Sequence, residues 1–317
     1  MKNTCIYSGA IFMVLMFSLM SCTKKKDVPV VVTSGITDIT GSSASSGGTI
    51  TSEGGGEVLS RGVCWSTNNN PTIADDTTID GSGTGSFISM MTGLTGGTVY
   101  YARAYASNNS GTGYGNSVSF TTLLVDIDNN IYRKVKIGNQ IWMAENLKTT
   151  RYNEGTEIPD ITDNAAWSVL LTGAYSDYGN NPSNSDTYGR LYNWYAIAFT
   201  NIRNVCPAGW HVPTDFDWGT LVNYLSVALG TGGMLKETGT AHWIVADQTA
   251  TNETGFTALP GGLRDHGGTF LDLGYSGSWW SASQYVDSTA YGLTINQAIQ
   301  SVTYRKNDGL SVRCVKD

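Results

Sequence analysis

Two adjacent tryptophans, Trp279 and Trp280 in GSWWSAS, are the side chains of this 317-residue sequence best suited to hold a ligand. On a strand, neighbouring residues point to opposite faces. Unless both faces are covered, one ring is therefore free to act as a flat platform for a sugar or a partner surface. The competing expectation is that both rings fill a core. Trp243, Arg264, His266 and Tyr285 lie in the same loop-rich part of the chain and are grouped with the pair as candidate ligand contacts. Catalytic chemistry finds less support. The three histidines, His211, His242 and His266, have no HExxH or comparable metal-ligand spacing. A GxSxG elbow and a strand-preceded phosphate loop are both missing. Asp126, Asp128 and Asn130 alternate like the opening of a calcium loop, but Ile131 and Ile137 stand where such a loop needs Gly and Glu. The segment reads as a turn, and no metal or other cofactor is expected. Carboxylates are plentiful without an arrangement specific to a glycosidase, so hydrolysis is disfavoured rather than excluded.

The cysteines are read through the N-terminus. Lys2 precedes an apolar run, Ile6 to Met20, and Leu19, Met20, Ser21 and Cys22 close it in the pattern of a bacterial lipobox. Residues 1–21 are then a lipoprotein signal peptide, Cys22 is the lipidated residue, and residues 22–29 form a tether. Two or more acyl chains would hold the protein stably on a membrane. The expected place is the bacterial cell envelope, at the outer membrane. The TKKKD stretch lacks the acidic run that resembles a surface-export signal, so the periplasmic and surface faces are both open. Setting aside Cys5 and Cys22 leaves Cys64, Cys206 and Cys314 of the five. In an exported chain they allow one disulfide, assigned to Cys206 and Cys314 because both lie in the second domain, with Cys64 a buried free thiol.

The elements that position these residues follow from composition. Charged residues are 14% of the chain and Gly numbers 38, which favours strands and turns over long helices. The net charge of −7, with no basic block after Lys26, argues against a nucleic-acid partner. Residues 30–122 read as short strands between Gly/Ser/Thr/Asn turns. Within them Tyr100, Ala102, Ala104 and Ala106 share the core face of one strand, and Tyr101, Arg103 and Tyr105 the other. In residues 123–317, Thr214 is an N-cap and Asp217 stands three residues on. Trp218, Leu221, Val222 and Leu225 then make one apolar helical stripe. TYGRLYNWYAIA is a short buried helix or strand, and the stretch from Gly255 onward is mostly strands.

Two resemblances organise this reading. Leu94, Gly97, Thr98 and Tyr100 stand at the spacing of the tyrosine corner of fibronectin type III domains, and RGVCW resembles the strand bearing the core tryptophan. WMAENLKTTRYNEGT, LYNWYAI, CPAGWHVPTDFDW, ETGFTALPGGLR, WWSAS and SVRCVKD together resemble the Fibrobacter succinogenes major paralogous domain. That family is grouped by resemblance with C-type lectin-like folds, and PTDFDW also resembles the helix of formylglycine-generating, sulfatase-modifying proteins. The expected fold is thus multidomain, an all-β fibronectin III-like sandwich followed by an α+β C-type lectin-like domain. Such folds bring their chain ends together, which would place Cys206 near Cys314. The Glu-Pro-Asn, Gln-Pro-Asp and Trp-Asn-Asp triplets of calcium-dependent lectins are absent. So is a second cysteine pair of the kind that binds copper in the formylglycine-generating enzymes. The lipobox, the order of domains and the missing catalytic sets together point to a non-catalytic envelope lipoprotein whose second domain binds glycan or an envelope protein. An enzyme of formylglycine-generating or hydrolase type, and a purely structural component, are the alternatives.

Overall fold

A computed structural model describes residues 26–198, 203–228 and 232–317. The expected signal peptide and Cys22 lie outside them. The N-terminal part contains β1 (Val30–Thr33), β2 (Ser43–Ser52), β3 (Ser60–Ser66), β4 (Asp76–Thr77), β5 (Gly85–Thr92), β6 (Val99–Asn108), β7 (Gly111–Tyr114) and β8 (Val118–Thr121). One antiparallel sheet has the order β1-β2-β5, and the other β4-β3-β6-β7 with β8 also paired to β6. The two sheets form a sandwich whose core includes Val31, Ile50, Val63, Trp65, Phe87, Met91 and Tyr100.

The alanines of β6 have a steric reason. A Cβ on Gly48 would stand 2.5 Å from the Cβ of Ala104, so the sheets approach too closely for larger side chains. The Thr95 N–H donates to the Tyr100 hydroxyl at 3.1 Å, the hydrogen bond of a tyrosine corner. One expectation about β6 fails. Tyr105, placed on the outer face, is buried because the strand-end segment at Thr78 covers it and takes its hydroxyl hydrogen bond at 2.7 Å. Cys64 is a buried free thiol, and burial pushes its pKa up to about 11.

The connection is a tight turn between β9 (Leu124–Val125) and β10 (Ile131–Tyr132). Asp126 makes it, accepting from the backbone N–H of Asp128 and Asn130 and from the Tyr132 hydroxyl at 2.6 Å. Asp128 accepts from Thr149, Thr150 and Arg151. These carboxylates are engaged by protein donors, as a turn requires.

The second part begins with β11 (Lys134–Ile137) and β12 (Gln140–Met143). Short elements follow: α1 (Asn164–Ser168), β13 (Tyr175–Ser176), α2 (Pro182–Tyr188), β14 (Leu191–Asn193), α3 (Trp194–Ile197) and β15 (Trp210–His211). Next come α4 (Asp215–Ala228), β16 (Gly261–Arg264), β17 (Phe270–Leu273), β18 (Gly277–Val286), β19 (Thr289–Ile295), β20 (Ile299–Arg305), β21 (Gly309–Leu310) and β22 (Val315–Lys316). A small sheet of order β11-β12-β22-β15 joins the two ends of the domain, Trp142 pairing with Val315. The larger sheet runs β13-β14-β21-β16-β18-β19-β20, with β17 on β16. Cys206 and Cys314 are disulfide-bonded across a sequence separation of 108.

The ambiguous LYNWYAIA stretch is both strand and helix. Asn193 makes the switch: its side-chain oxygen accepts from the Ala196 N–H at 3.1 Å and caps α3. α4 starts where its capping residues place it. The Asp217 carboxylate accepts from the Thr214 N–H and hydroxyl, and Thr214 Oγ1 accepts from the Asp217 N–H. Burial raises the Asp217 pKa, but these bonds and His211 prevail and leave it below the ordinary value. Trp218, Leu221 and Leu225 bury the helix stripe against Trp142, Phe256 and Trp279.

Candidate functional site

The register of β18, β19 and β20 decides which tryptophan can face a ligand. Trp280 pairs with Gly292 and Ser278 with Thr294, while Gly292 pairs with Val302 and Thr294 with Gln300. Ser278, Trp280, Gly292, Thr294, Gln300 and Tyr304 therefore share one face of this sheet, and Trp279, Leu293 and Ile295 the other. Both faces are covered at the tryptophans. Trp280 lies in the core with Tyr192, Trp194 and Leu310, its indole N–H donating to the Tyr192 carbonyl at 2.6 Å. Trp279 lies in the other core, its N–H donating to Asn146 Oδ1 at 2.7 Å. Each ring is 0% exposed, so neither forms the platform expected of the pair.

Two arginines are part of this frame. Arg264 is fully buried between Trp167 and Phe270. It donates to the carbonyls of Gly268, Ile161 and Thr162 and to Asn164 Oδ1. A guanidinium whose donors are committed to backbone carbonyls clamps loops, which corrects its expected role as a ligand contact. Arg313 does the same through Asn146 and the Phe256 carbonyl, and burial brings its pKa down to about 9. His266 sits at the surface, 3.6 Å from Asp308, and Tyr285 packs edge-on to Tyr291. Neither lines the large cleft described next.

That cleft lies farther along the Trp280 face, where the core ends. Its volume is about 890 Å³. Its floor is the Ser278, Thr294 and Tyr304 end of the sheet, and its walls are the turn at Asn296, the Tyr275 segment and the loop from Trp243 to Thr249. Gly292 makes the floor possible. A Cβ there would stand 2.9 Å from Tyr304 Cδ2, so its absence lets the tyrosine ring lie across β19 and bring its hydroxyl to Thr294 and Ser278. Trp243, of the six candidates, lines the cleft, although its ring is buried and its N–H donates to the Ala258 carbonyl. Lys236 stands 4.0 Å over that ring and donates to Asp247 Oδ2 and the Asn296 carbonyl, each at 2.8 Å. It thereby ties the loop to the β19–β20 turn. Burial works against the Asp247 charge, yet hydrogen bonds from Lys236 and Thr249 hold its pKa down to about 2. Among the described residues no group of three or more His, Cys, Asp or Glu gathers as metal ligands would.

The floor and walls of the cleft escape a sequence reading because their residue types are those of ordinary turns and strands. One signal existed in hindsight. The INQAIQ stretch crowds amides around a turn that a fold of this size would otherwise leave polar but unspecialised.

The cleft and both clamps lie within residues 135–316, which match the family described as the Fibrobacter succinogenes major domain; this is more than half of the chain, and the chain belongs to that family. No curated protein matches it. Solved structures that match include domains A168–A170 of titin, at 23% identity and TM-score 0.24, covering 30% of this chain and 32% of that one. The sensor domain of the anti-sigma factor RsgI4 of Pseudobacteroides cellulosolvens matches at 14% identity and TM-score 0.23, covering 30% and 95%. The third fibronectin III domain of human KIAA0343 matches at 18% identity and TM-score 0.23, covering 33% and 91%. The chain thus spans about a third of the titin fragment's length.

Proposed function

We propose that the protein is a non-catalytic lipoprotein of the bacterial cell envelope, probing glycan or an envelope protein through the cleft of its second domain. The observation that carries this reading is the cleft itself, a volume of about 890 Å³ walled by amides, hydroxyls and a tyrosine ring at the end of a rigid sheet. Pockets of this size and mixed lining are what ligand recognition uses. In this reading the sandwich spaces the domain from the membrane, to which Cys22 tethers it, and the second domain is of the C-type lectin-like kind. Support for that kinship is the small sheet that joins β11 and β12 to β22, bringing the domain's ends together. A formylglycine-generating mechanism is less well supported. Cys206 and Cys314 are bonded to each other and fully buried, so they are not a thiol pair open to copper.

The test is a pull-down with the full chain against envelope polysaccharide and envelope protein fractions, repeated with Tyr275→Ala. Retention that the variant loses is expected. Failure to retain either fraction would overturn the proposal. Mass spectrometry of the mature N-terminus tests the anchor separately, the expected species beginning at a lipid-modified Cys22.

A further inference from the structure

The chemistry of the cleft floor narrows its ligand. Ser278 Oγ, Thr294 Oγ1 and Tyr304 Oη are mutually hydrogen-bonded, at 3.1 Å between Ser278 and Thr294 and 3.2 Å between Ser278 and Tyr304, with a short contact closing the ring from Thr294 to Tyr304. Each hydroxyl has one proton and two lone pairs. In a closed ring of three, each donates once and accepts once, which leaves one lone pair on each oxygen; Ser278 and Thr294 are buried, so the half-buried Tyr304 is the member that presents its lone pair to the cleft. Because hydroxyl protons rotate, opening the ring turns one of them outward as a donor. Such a floor matches a ligand that is itself dense in hydroxyls.

The charges on the lining disfavour an acidic ligand. Lys236 is its one basic residue, and it is spent on Asp247 and the Asn296 carbonyl with its side chain 4% exposed. Asp272 is exposed on the rim, and no lysine or arginine pairs with it among the described residues. An acidic ligand would bring its charge beside Asp272 with no free cation to meet it. In the same turn Tyr275, 55% exposed, offers a ring against which the C–H face of a sugar can rest.

We propose that the cleft binds a neutral saccharide, a sugar hydroxyl donating to Tyr304 at the edge of the hydroxyl ring and one sugar face resting on Tyr275. This rests on the cleft being the binding site, as in the preceding section, and selects one ligand class within it. Calorimetry with the full chain at pH 7 would compare gluco-, manno- and xylo-oligosaccharides with oligogalacturonate and with chitosan oligomers. A neutral oligomer should bind at least about tenfold more tightly than oligogalacturonate. Tyr304→Phe, which keeps the ring and removes the hydroxyl, should weaken that binding about three- to tenfold, the worth of one or two neutral hydrogen bonds. Tyr275→Ala should weaken it at least as much, and both variants should melt within a few degrees of the parent. Equal or tighter binding of the charged oligomers, or an unchanged affinity in Tyr304→Phe, overturns the neutral-saccharide assignment. Retention of an envelope protein that Tyr275→Ala loses, without saccharide binding, overturns it too but leaves the preceding proposal standing. An absence of all binding overturns both.

Discussion

One face of the β18–β20 sheet has two ends that differ in how they meet water. At Trp280 and Ala282 it is sealed against Tyr192, Trp194 and Leu310. At Ser278, Thr294 and Tyr304 it opens into the cleft. The sealed end holds Trp280 and Cys314, two of the residues that give the family its likeness. The open end is built from hydroxyls and amides. Conspicuous residue types here mark places where desolvation leaves no alternative partner, and ligand contacts need no such rarity. A buried Arg313 whose donors end on Asn146 and Phe256 cannot be replaced without stranding those acceptors.

The contrast can be broken, beginning where the effect should be largest. Replacing Cys206→Ala together with Cys314→Ala removes a cross-link over 108 residues and should cost about 4 to 5 kcal/mol in the chain-entropy picture. Urea denaturation of oxidised and substituted protein measures it. Trp280→Ala should cost about 3 to 5 kcal/mol through the cavity it leaves, and it should affect ligand affinity no more than stability accounts for. A Trp280→Ala protein that melts normally but no longer binds would reverse the assignment of sealed and open ends.

Asp247→Asn comes next. Among the described residues it takes away the only carboxylate paired with the Lys236 ammonium, whose side chain is 4% exposed, and should cost about 3 kcal/mol. The same pair gives a pH dependence. With the folded pKa of Asp247 down at about 2 and its ordinary value 3.8, its contribution is complete above pH 3.8 and is lost as pH falls through 2. Because Lys236 lies over the Trp243 ring, indole fluorescence should change in that window, and the parent-minus-Asp247→Asn difference in stability should shrink there. Smallest is Tyr304→Phe, expected to change stability by less than about 1 kcal/mol because Ser278 and Thr294 keep their bond to each other and the ring stays packed on Trp280. A loss as large as that of Trp280→Ala would show that the cleft floor is core.

What could be read in the sequence was local. The start of α4 needed Thr214, Asp217 and four apolar positions within twelve residues, and the tyrosine corner needed one segment from Leu94 to Tyr100. The disulfide was accessible because few cysteines were left to pair. What stayed hidden depended on distant chain. Period-two alternation places Trp279 and Trp280 on opposite faces but says nothing of whether each face is covered, and the cover comes from Tyr192 and Trp194 on one side and from α4 and Phe256 on the other. Arg264 looked available because its acceptors, at Ile161 and Thr162, stand about a hundred positions earlier. LYNWYAIA was ambiguous for a different reason: it changes from strand to helix at Asn193, and no single period describes it.

The position of β22 sets an order of assembly. It lies between β12 and β15, so the sheet that joins the ends of the second domain has a gap at its centre until residues 315 and 316 are in place. Cys206 likewise waits for Cys314. The sandwich's strands are complete at Thr121, so their pairing does not wait for the second domain. The second domain therefore closes last, at the point where its final strand and its disulfide form together.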